Sequence, residues 1–381
     1  MIFTDLRYLA IFAGCWLTFV AVPRHRRSLA LALWGLLFYA LYAGVFVVAA
    51  VALTVATLFV HRRWQAYVVA AAVIAVLTRF KIAEATVRPD AAADIIIPLG
   101  LSYLSFELLH IVFERRRGRI TDIGVADLLA YAFFLPCRIA GPIRRFPQFV
   151  SAVAEAQPSA GDVYRGIVRI LIGLAKKLII ADTLALTVAE LEAVRSSSHA
   201  WTVVLAYGFQ IFFDFSAYSD LAIGFSRLLG ITVPENFNYP YFASNIREFW
   251  NRWHITLSSW VRDYVFMPTG RRLFGTGLRP YPAAIAAISY VLTFAVVGAW
   301  HGVTPAFLMW GLYHGFLLAA HHVIQARMPA AIASSAWYRS AIGTSLGCAV
   351  TFFFVTLGWV PFMTDSARAG ELLRLMLGGG R

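Results

Sequence analysis

One histidine, two aspartates and a tyrosine stand among residues that are almost wholly apolar, a setting where ionisable groups are costly unless they do something, and a second histidine stands in a charged, aromatic stretch. His301 lies in GAWHGVTPAFLMWGLYHG (298–315), inside a stretch of 46 residues, 281–326, with no Asp, Glu, Lys or Arg. An imidazole takes up a proton near neutral pH. A histidine in such surroundings is therefore a candidate general base for a hydroxyl; the plainer alternative is a helix–helix hydrogen bond. His254 lies in 234–272, where Phe249, Trp250, Trp253, Trp260 and Tyr264 interleave with Arg247, Glu248, Arg252, Arg262 and Asp263. That mixture is too charged for a lipid-facing span. It predicts an interfacial or bundle-buried amphipathic helix, with a membrane-surface anchor as the alternative. A third stretch, 207–227, carries Asp214, Tyr218 and Asp220. Asp214 and Tyr218 are four apart and share a helix face, whereas Asp220 falls on another. They read either as a structural hydrogen-bond network or as the polar wall of a reaction chamber. His314 follows in the same block as His301. His321 and His322 sit near the end of their span, where polar groups are cheaper, and carry less weight.

The elements that must position these groups are membrane spans. Apolar residues make up 60% of the 381 and charged residues 14%, against roughly 45–50% and 25% in soluble domains. This excludes a disordered chain and a disulfide-rich module, and a soluble globule could not hide so much apolar surface. Stretches near the length of a span are 8–22, 28–43, 45–60, 65–78, 95–113, 125–140, 166–188, 201–225, 283–300, 304–323 and 343–363, about eleven in all. The stretch 166–188 is interrupted by Arg169, Lys176 and Lys177. Thr304 followed by Pro305 predicts a helix start, with Thr at N-cap and Pro at N1. No repeat and no Gly/Ser/Pro-rich linker divides the chain, so one domain over 1–381 is expected. The N-terminal apolar run lacks a basic leader and a small-residue cleavage site, and reads as a retained first span.

Net charge is +13, with Lys81, Lys176 and Lys177 the only lysines. The arginines cluster between apolar runs, the positive-inside pattern rather than a nucleic-acid surface, and no nucleic-acid partner is expected. Nine basic residues (Arg24, Arg26, Arg27, Arg62, Arg63, Arg115, Arg116, Arg117, Arg119) fall on one side, against Arg79, Lys81 and Arg88 in the opposing loop at 79–94. That loop also carries Glu84, Asp90 and Asp94. The bias predicts an extracytoplasmic N-terminus. Cys15, Cys137 and Cys348 are far apart in apolar segments and show no disulfide or zinc spacing. The chain contains no G-x-S-x-G elbow, P-loop, dinucleotide fingerprint or H-E-x-x-H. No histidine is followed four residues on by aspartate, the soluble glycerolipid acyltransferase pattern.

Three blocks resemble the membrane-bound O-acyltransferase superfamily: FQIFFDFSAYSDLAIG (209–224), NFNYPYFASNIREFWNRWHITLSSWVRDYVFMPTG (236–270) and GAWHGVTPAFLMWGLYHG (298–315). FFLPCRIAGPIRRFPQF (133–149), GLAKKLIIAD (173–182) and LGWVPF (357–362) support the likeness across nearly the whole chain. Within the superfamily it is most similar to the bacterial branch of alginate, exopolysaccharide and peptidoglycan O-acetylation and teichoic-acid D-alanylation. The resemblance implies an all-α, polytopic protein of the bacterial plasma membrane. Its about eleven helices would surround a thin centre, open to an acyl thioester from the cytoplasm and to a hydroxyl acceptor from outside. It implies that His301, in WHG, is the superfamily's invariant histidine and His254, in R-W-H, its second, with His314 a weaker counterpart. Arg247, Asn251, Trp300, Asp214, Tyr218 and Asp220 are the expected substrate contacts. No bound cofactor or metal is implied; the donor is acyl-CoA or an acyl-carrier thioester. Only about 18 residues follow the last span, so an extracytoplasmic esterase-like partner is expected to complete the transfer. D-alanyl transfer is the nearest alternative. A proton-coupled transporter or flippase and a non-catalytic scaffold are the rival classes.

Overall fold

The computed structural model describes residues 2–86, 100–333, 335–336 and 340–379. The expected span 95–113 begins outside them, as do Arg88, Asp90 and Asp94 of the opposing loop. The described residues form helices and no strand. Leu37, Leu41, Val48, Ile74, Leu292 and Phe316 are exposed, while Arg138, Glu107 and Arg144 are buried. Apolar outside and charged inside is the burial pattern of a protein solvated by lipid tails. Among the described residues, five helices are long and apolar enough to cross a bilayer: Arg63–Thr86, Ser197–Leu228, Pro282–His301, Pro305–Arg327 and Ala341–Met363. Shorter apolar helices cover Leu6–Ala21, Phe46–Phe59 and Val125–Cys137. This is a multi-pass membrane protein.

Two compact units emerge, and α10 (Ser197–Leu228) contributes to both. The first comprises Met1–Ala175 and Ala217–Glu235. It holds α1 (Leu6–Ala21), α2 (Arg27–Ala43), α3 (Phe46–Ala56), α4 (Arg63–Thr86), α5 (Leu101–Arg116), α6 (Val125–Ala132), α7 (Phe146–Glu155) and α8 (Ala160–Ala175). Asp5 starts α1 by accepting the Arg7 backbone N–H at 2.9 Å. The core is aromatic: Phe225 packs edge-on against Tyr8 and Phe12, and Tyr8 against Phe38.

The run 125–140 does not continue as one helix. α6 stops at Ala132, and Pro136, Gly141 and Pro142 break the chain that follows. Non-helical backbone at this depth needs internal partners, and buried arginines supply them. Arg138 donates to the carbonyls of Ala132 and Gly100 and to Glu107 (3.1 Å). Arg144 donates to Glu107 (2.5 Å) and to the Tyr131 carbonyl (2.8 Å). One carboxylate thus lies between two guanidiniums.

The second unit comprises Lys176–Ser216 and Asn236–Arg381. It opens on a π-helical turn, Lys176–Ala181, that runs into α9 (Asp182–Val188). The charged interruption in 166–188 is therefore a change of helical pitch, not the end of a helix. The stretch 234–272 folds as α11 (Ile246–Arg252), α12 (Ile255–Val261), a π turn and α13 (Met267–Phe274), instead of the single amphipathic helix expected. After it come α14 (Pro282–His301), α15 (Pro305–Arg327), α16 (Ala330–Ala333), α17 (Ala341–Met363) and α18 (Ser366–Met376). Pro282 and Pro305 stand in the first turns of α14 and α15. Thr304 occupies the N-cap as predicted, though its hydroxyl makes no cap hydrogen bond. The 281–326 run forms two antiparallel helices joined at 302–304. Their backbones pack so closely that a Cβ on Gly298 would strike the Phe307 carbonyl oxygen. Small residues allow this approach between membrane helices.

Candidate functional site

His301 is the last residue of α14, where Gly302 turns the chain to extended backbone. The half-buried imidazole sits within a ring of aromatics. Its centroid is 4.6 Å from Trp300, 5.0 Å from Trp310, 4.9 Å from Phe362 and 6.1 Å from Phe307. Trp310 and Phe307 come from α15. Phe362 comes from α17, one residue past Pro361, which cannot donate a helical hydrogen bond.

His254 links α11 to α12 and holds φ 43°, ψ 54°, a left-handed conformation that costs a non-glycine residue roughly 1–2 kcal/mol. Tyr239 is the other non-glycine residue with positive φ among those described. Backbone bonds clamp the turn: Asn238 N–H donates to the Arg252 carbonyl (3.0 Å) and Ile255 N–H to that of Asn236 (2.9 Å). The Asn236 side-chain oxygen accepts from the Thr256 hydroxyl at 2.7 Å. The NFN segment is thus the brace that forces His254 inward. Its ring is 3% exposed and meets Phe215 edge-on at 4.7 Å. Burial pushes its pKa down to about 3, and the field of the neighbouring His301 adds to the shift. The ring is neutral at physiological pH.

A cavity of about 520 Å³ opens beside this turn. α11 lines it with Arg247, Trp250 and Asn251, α12 with Ile255, Ser258 and Ser259, and Arg262, Phe266, Tyr290 and Phe294 complete most of its wall. Two guanidinium, one amide and four hydroxyl side chains (Ser258, Ser259, Tyr290 and Thr293) line it, and none of its lining residues is acidic. Arg247 donates to Nδ1 of His322 at 3.0 Å, so that nitrogen is unprotonated.

The remaining candidates from sequence are dispersed. Asp214, in the second unit, pairs with Lys177 at 2.7 Å, and Lys177 also holds Asp182 at 2.8 Å. The Asp214 side chain is 51% exposed. Asp220, in the first unit, is buried and bound by Arg169 at 2.6 Å, which also reaches Glu235. Tyr218, in the same unit, packs against Phe3 with ring centroids 5.0 Å apart. The helix face shared by Asp214 and Tyr218 therefore does not give them a shared environment. Trp300 lies against His301, and Arg247 and Asn251 reach the cavity. Sequence reasoning missed Phe307, Trp310 and Phe362 around His301, and Arg262, Ser258 and Ser259 in the cavity wall. The i to i+6 and i+9 spacing from His301 carried a signal for Phe307 and Trp310 once the helical turn was placed; Phe362 carried none.

Three relatives place the arrangement among known proteins. A probable alginate O-acetylase of Pseudomonas aeruginosa is 32% identical over 283 residues, 73% of this chain and 51% of that protein. A teichoic acid D-alanyltransferase of Bacillus subtilis is 34% identical over 276 residues, 69% of this chain and 68% of that protein. A peptidoglycan O-acetyltransferase of Helicobacter pylori is 30% identical over 318 residues, 74% of this chain and 57% of that protein. The chain spans about half the length of the alginate O-acetylase relatives it matches. Residues 3–356 match the family described as MBOAT, and with that extent of agreement the chain belongs to the membrane-bound O-acyltransferase family.

Proposed function

We propose that the chain is an O-acyltransferase that moves an acetyl group from a cytoplasmic thioester, acetyl-CoA or an acylated carrier, to a hydroxyl acceptor for cell-surface polysaccharide O-acetylation. The observation that carries this reading is the single α11–turn–α12 element. It presents Arg247 and Asn251 to a cationic cavity and holds His254 in the strained turn between its two helices. His301 takes the acceptor's proton as the hydroxyl oxygen attacks the thioester carbonyl. The C–O bond forms, the C–S bond breaks, and the proton passes to the departing thiolate. His254, neutral and fixed by its turn, donates to the developing oxyanion. Arg247 and Arg262 suit the phosphates of a coenzyme A or phosphopantetheine donor. Asp214, Tyr218 and Asp220 do not line this cavity, and the reading gives them no donor contact.

The absence of an acidic residue from the cavity wall favours a neutral acyl group. A D-alanyl ester carries an ammonium, which would meet two guanidiniums, one of them paired with Asp263 at 3.0 Å, and no carboxylate among the lining residues. The Bacillus subtilis relative nevertheless keeps teichoic-acid D-alanylation as the second reading, because the match covers 68% of that protein. The loop-charge bias supports an extracytoplasmic N-terminus, and an extracytoplasmic esterase-like protein would receive the acetyl group.

Purified protein incubated with labelled acetyl-CoA and an oligosaccharide acceptor tests the reading. Label transfer is expected, and His301→Ala should lower it on the order of 10²-fold or more, the usual worth of a general base. Transfer only from a D-alanyl-loaded carrier would select the second reading. Folded His301→Ala protein with activity within about threefold of wild type would reject the base. Movement of an acceptor without bond-making would mean a transporter.

A further inference from the structure

The reaction as read leaves a positive charge on His301 at its most demanding moment, and the residues around that ring are aromatic. Trp310 meets the imidazole at an interplanar angle of 85° and Phe362 at 80°, both near 5 Å between centroids. Phe307 lies nearly parallel to it, at 23°. The rings also brace one another: Phe362 packs on Trp310 at 5.1 Å, on Phe307 at 5.2 Å and on Trp359 at 5.7 Å. Trp310 is 2% exposed and Trp359 1%. They come from two helices, α15 and α17, so no local chain property assembles them. A desolvated cation is attracted to the face of an aromatic ring, and a tight cluster of rings holds an imidazole at one orientation.

We propose that Phe362, with Trp310 and Phe307, forms an aromatic cage that orients the His301 imidazole and stabilises its protonated form during acyl transfer. These are positioning residues acting through His301. The inference rests on the reading of His301 as the base. It explains why α17, which contributes nothing to the cavity wall, brings LGWVPF to the site. Pro361 breaks the helical ladder one residue before the ring that reaches His301.

The test is a graded replacement of Phe362 by mono-, di- and trifluorophenylalanine, near-isosteric side chains whose ring faces carry progressively less negative charge. Measured with labelled acetyl-CoA, kcat should fall stepwise, to about a tenth of wild type in the trifluoro protein, while KM for acetyl-CoA stays constant. Phe362→Leu should lose at least as much, and Phe362→Tyr should restore kcat to within about threefold. Phe307→Leu is a second variant, expected to move kcat in the same direction should Phe362→Leu not fold. A flat fluorination series, or equal losses in the Leu and Tyr proteins, would overturn the cage and leave the base intact if His301→Ala is inactive. Full activity in His301→Ala would overturn both.

Discussion

At the scale of single residues, His254 shows how the chain stores backbone strain at a candidate site. A left-handed backbone at a histidine costs energy that the flanking fold must supply. Here the Asn236, Asn238 and Thr256 bonds supply it. Asparagine tolerates the same conformation, so His254→Asn separates fold from function. We expect it to melt close to the wild-type temperature in detergent while acetyl transfer falls about 10²-fold, the cost of losing one oxyanion donor. Wild-type activity in that variant would remove His254 from the mechanism. His301 differs in kind: it ends a helix, in an ordinary conformation, and its setting comes from its neighbours.

At the scale of elements, the stability of the first unit depends on an ion triad. Arg138 and Arg144 are 0% and 2% exposed, and Glu107 4%, at the side chain. Together they satisfy the broken backbone after α6. Removing the one carboxylate strands two buried cations, which typically costs 3–5 kcal/mol. Glu107→Gln is therefore expected to lower the melting temperature sharply and reduce the yield of monodisperse protein. Arg165→Gln, which breaks an exposed pair with Asp162, should change neither, because exposed ion pairs contribute about 0–1 kcal/mol. A Glu107→Gln protein as stable as wild type would show the triad to be dispensable. In the second unit the α14–α15 hairpin has the corresponding role. Its close glycine contact fixes where His301 emerges relative to Phe307 and Trp310.

At the scale of the whole molecule, the balance of charge sets topology. On the span order expected from sequence, nine arginines on one side of the first spans outnumber three basic residues on the other, and such a bias orients membrane proteins at insertion. Reporter fusions after Arg27 and after Arg119 should therefore be active only as cytoplasmic reporters, and a fusion between Arg79 and Asp94 only as a periplasmic one. The reverse pattern would overturn the expected extracytoplasmic N-terminus.

Composition and hydropathy alone determined the membrane class, the all-helical fold, most helix positions and the pair of helices around His301, because each depends on local periodicity or on transfer from water to lipid. His301 stood out because an ionisable residue in an apolar run is conspicuous in one dimension, whereas His254, in a charged and aromatic stretch, was singled out only by the family resemblance of its R-W-H block. Other features required three dimensions. The 125–140 run looked like a span because its apolar count could not show that two arginines were folded inward to solvate broken backbone. Asp214 and Tyr218 share a face of α10, yet their neighbours come from chain segments far away in sequence. Phe362 reaches His301 from 61 positions further along the chain. Packing between distant segments follows from shape and volume, which no local pattern encodes, and so the environment of each candidate group was decided only by the tertiary structure.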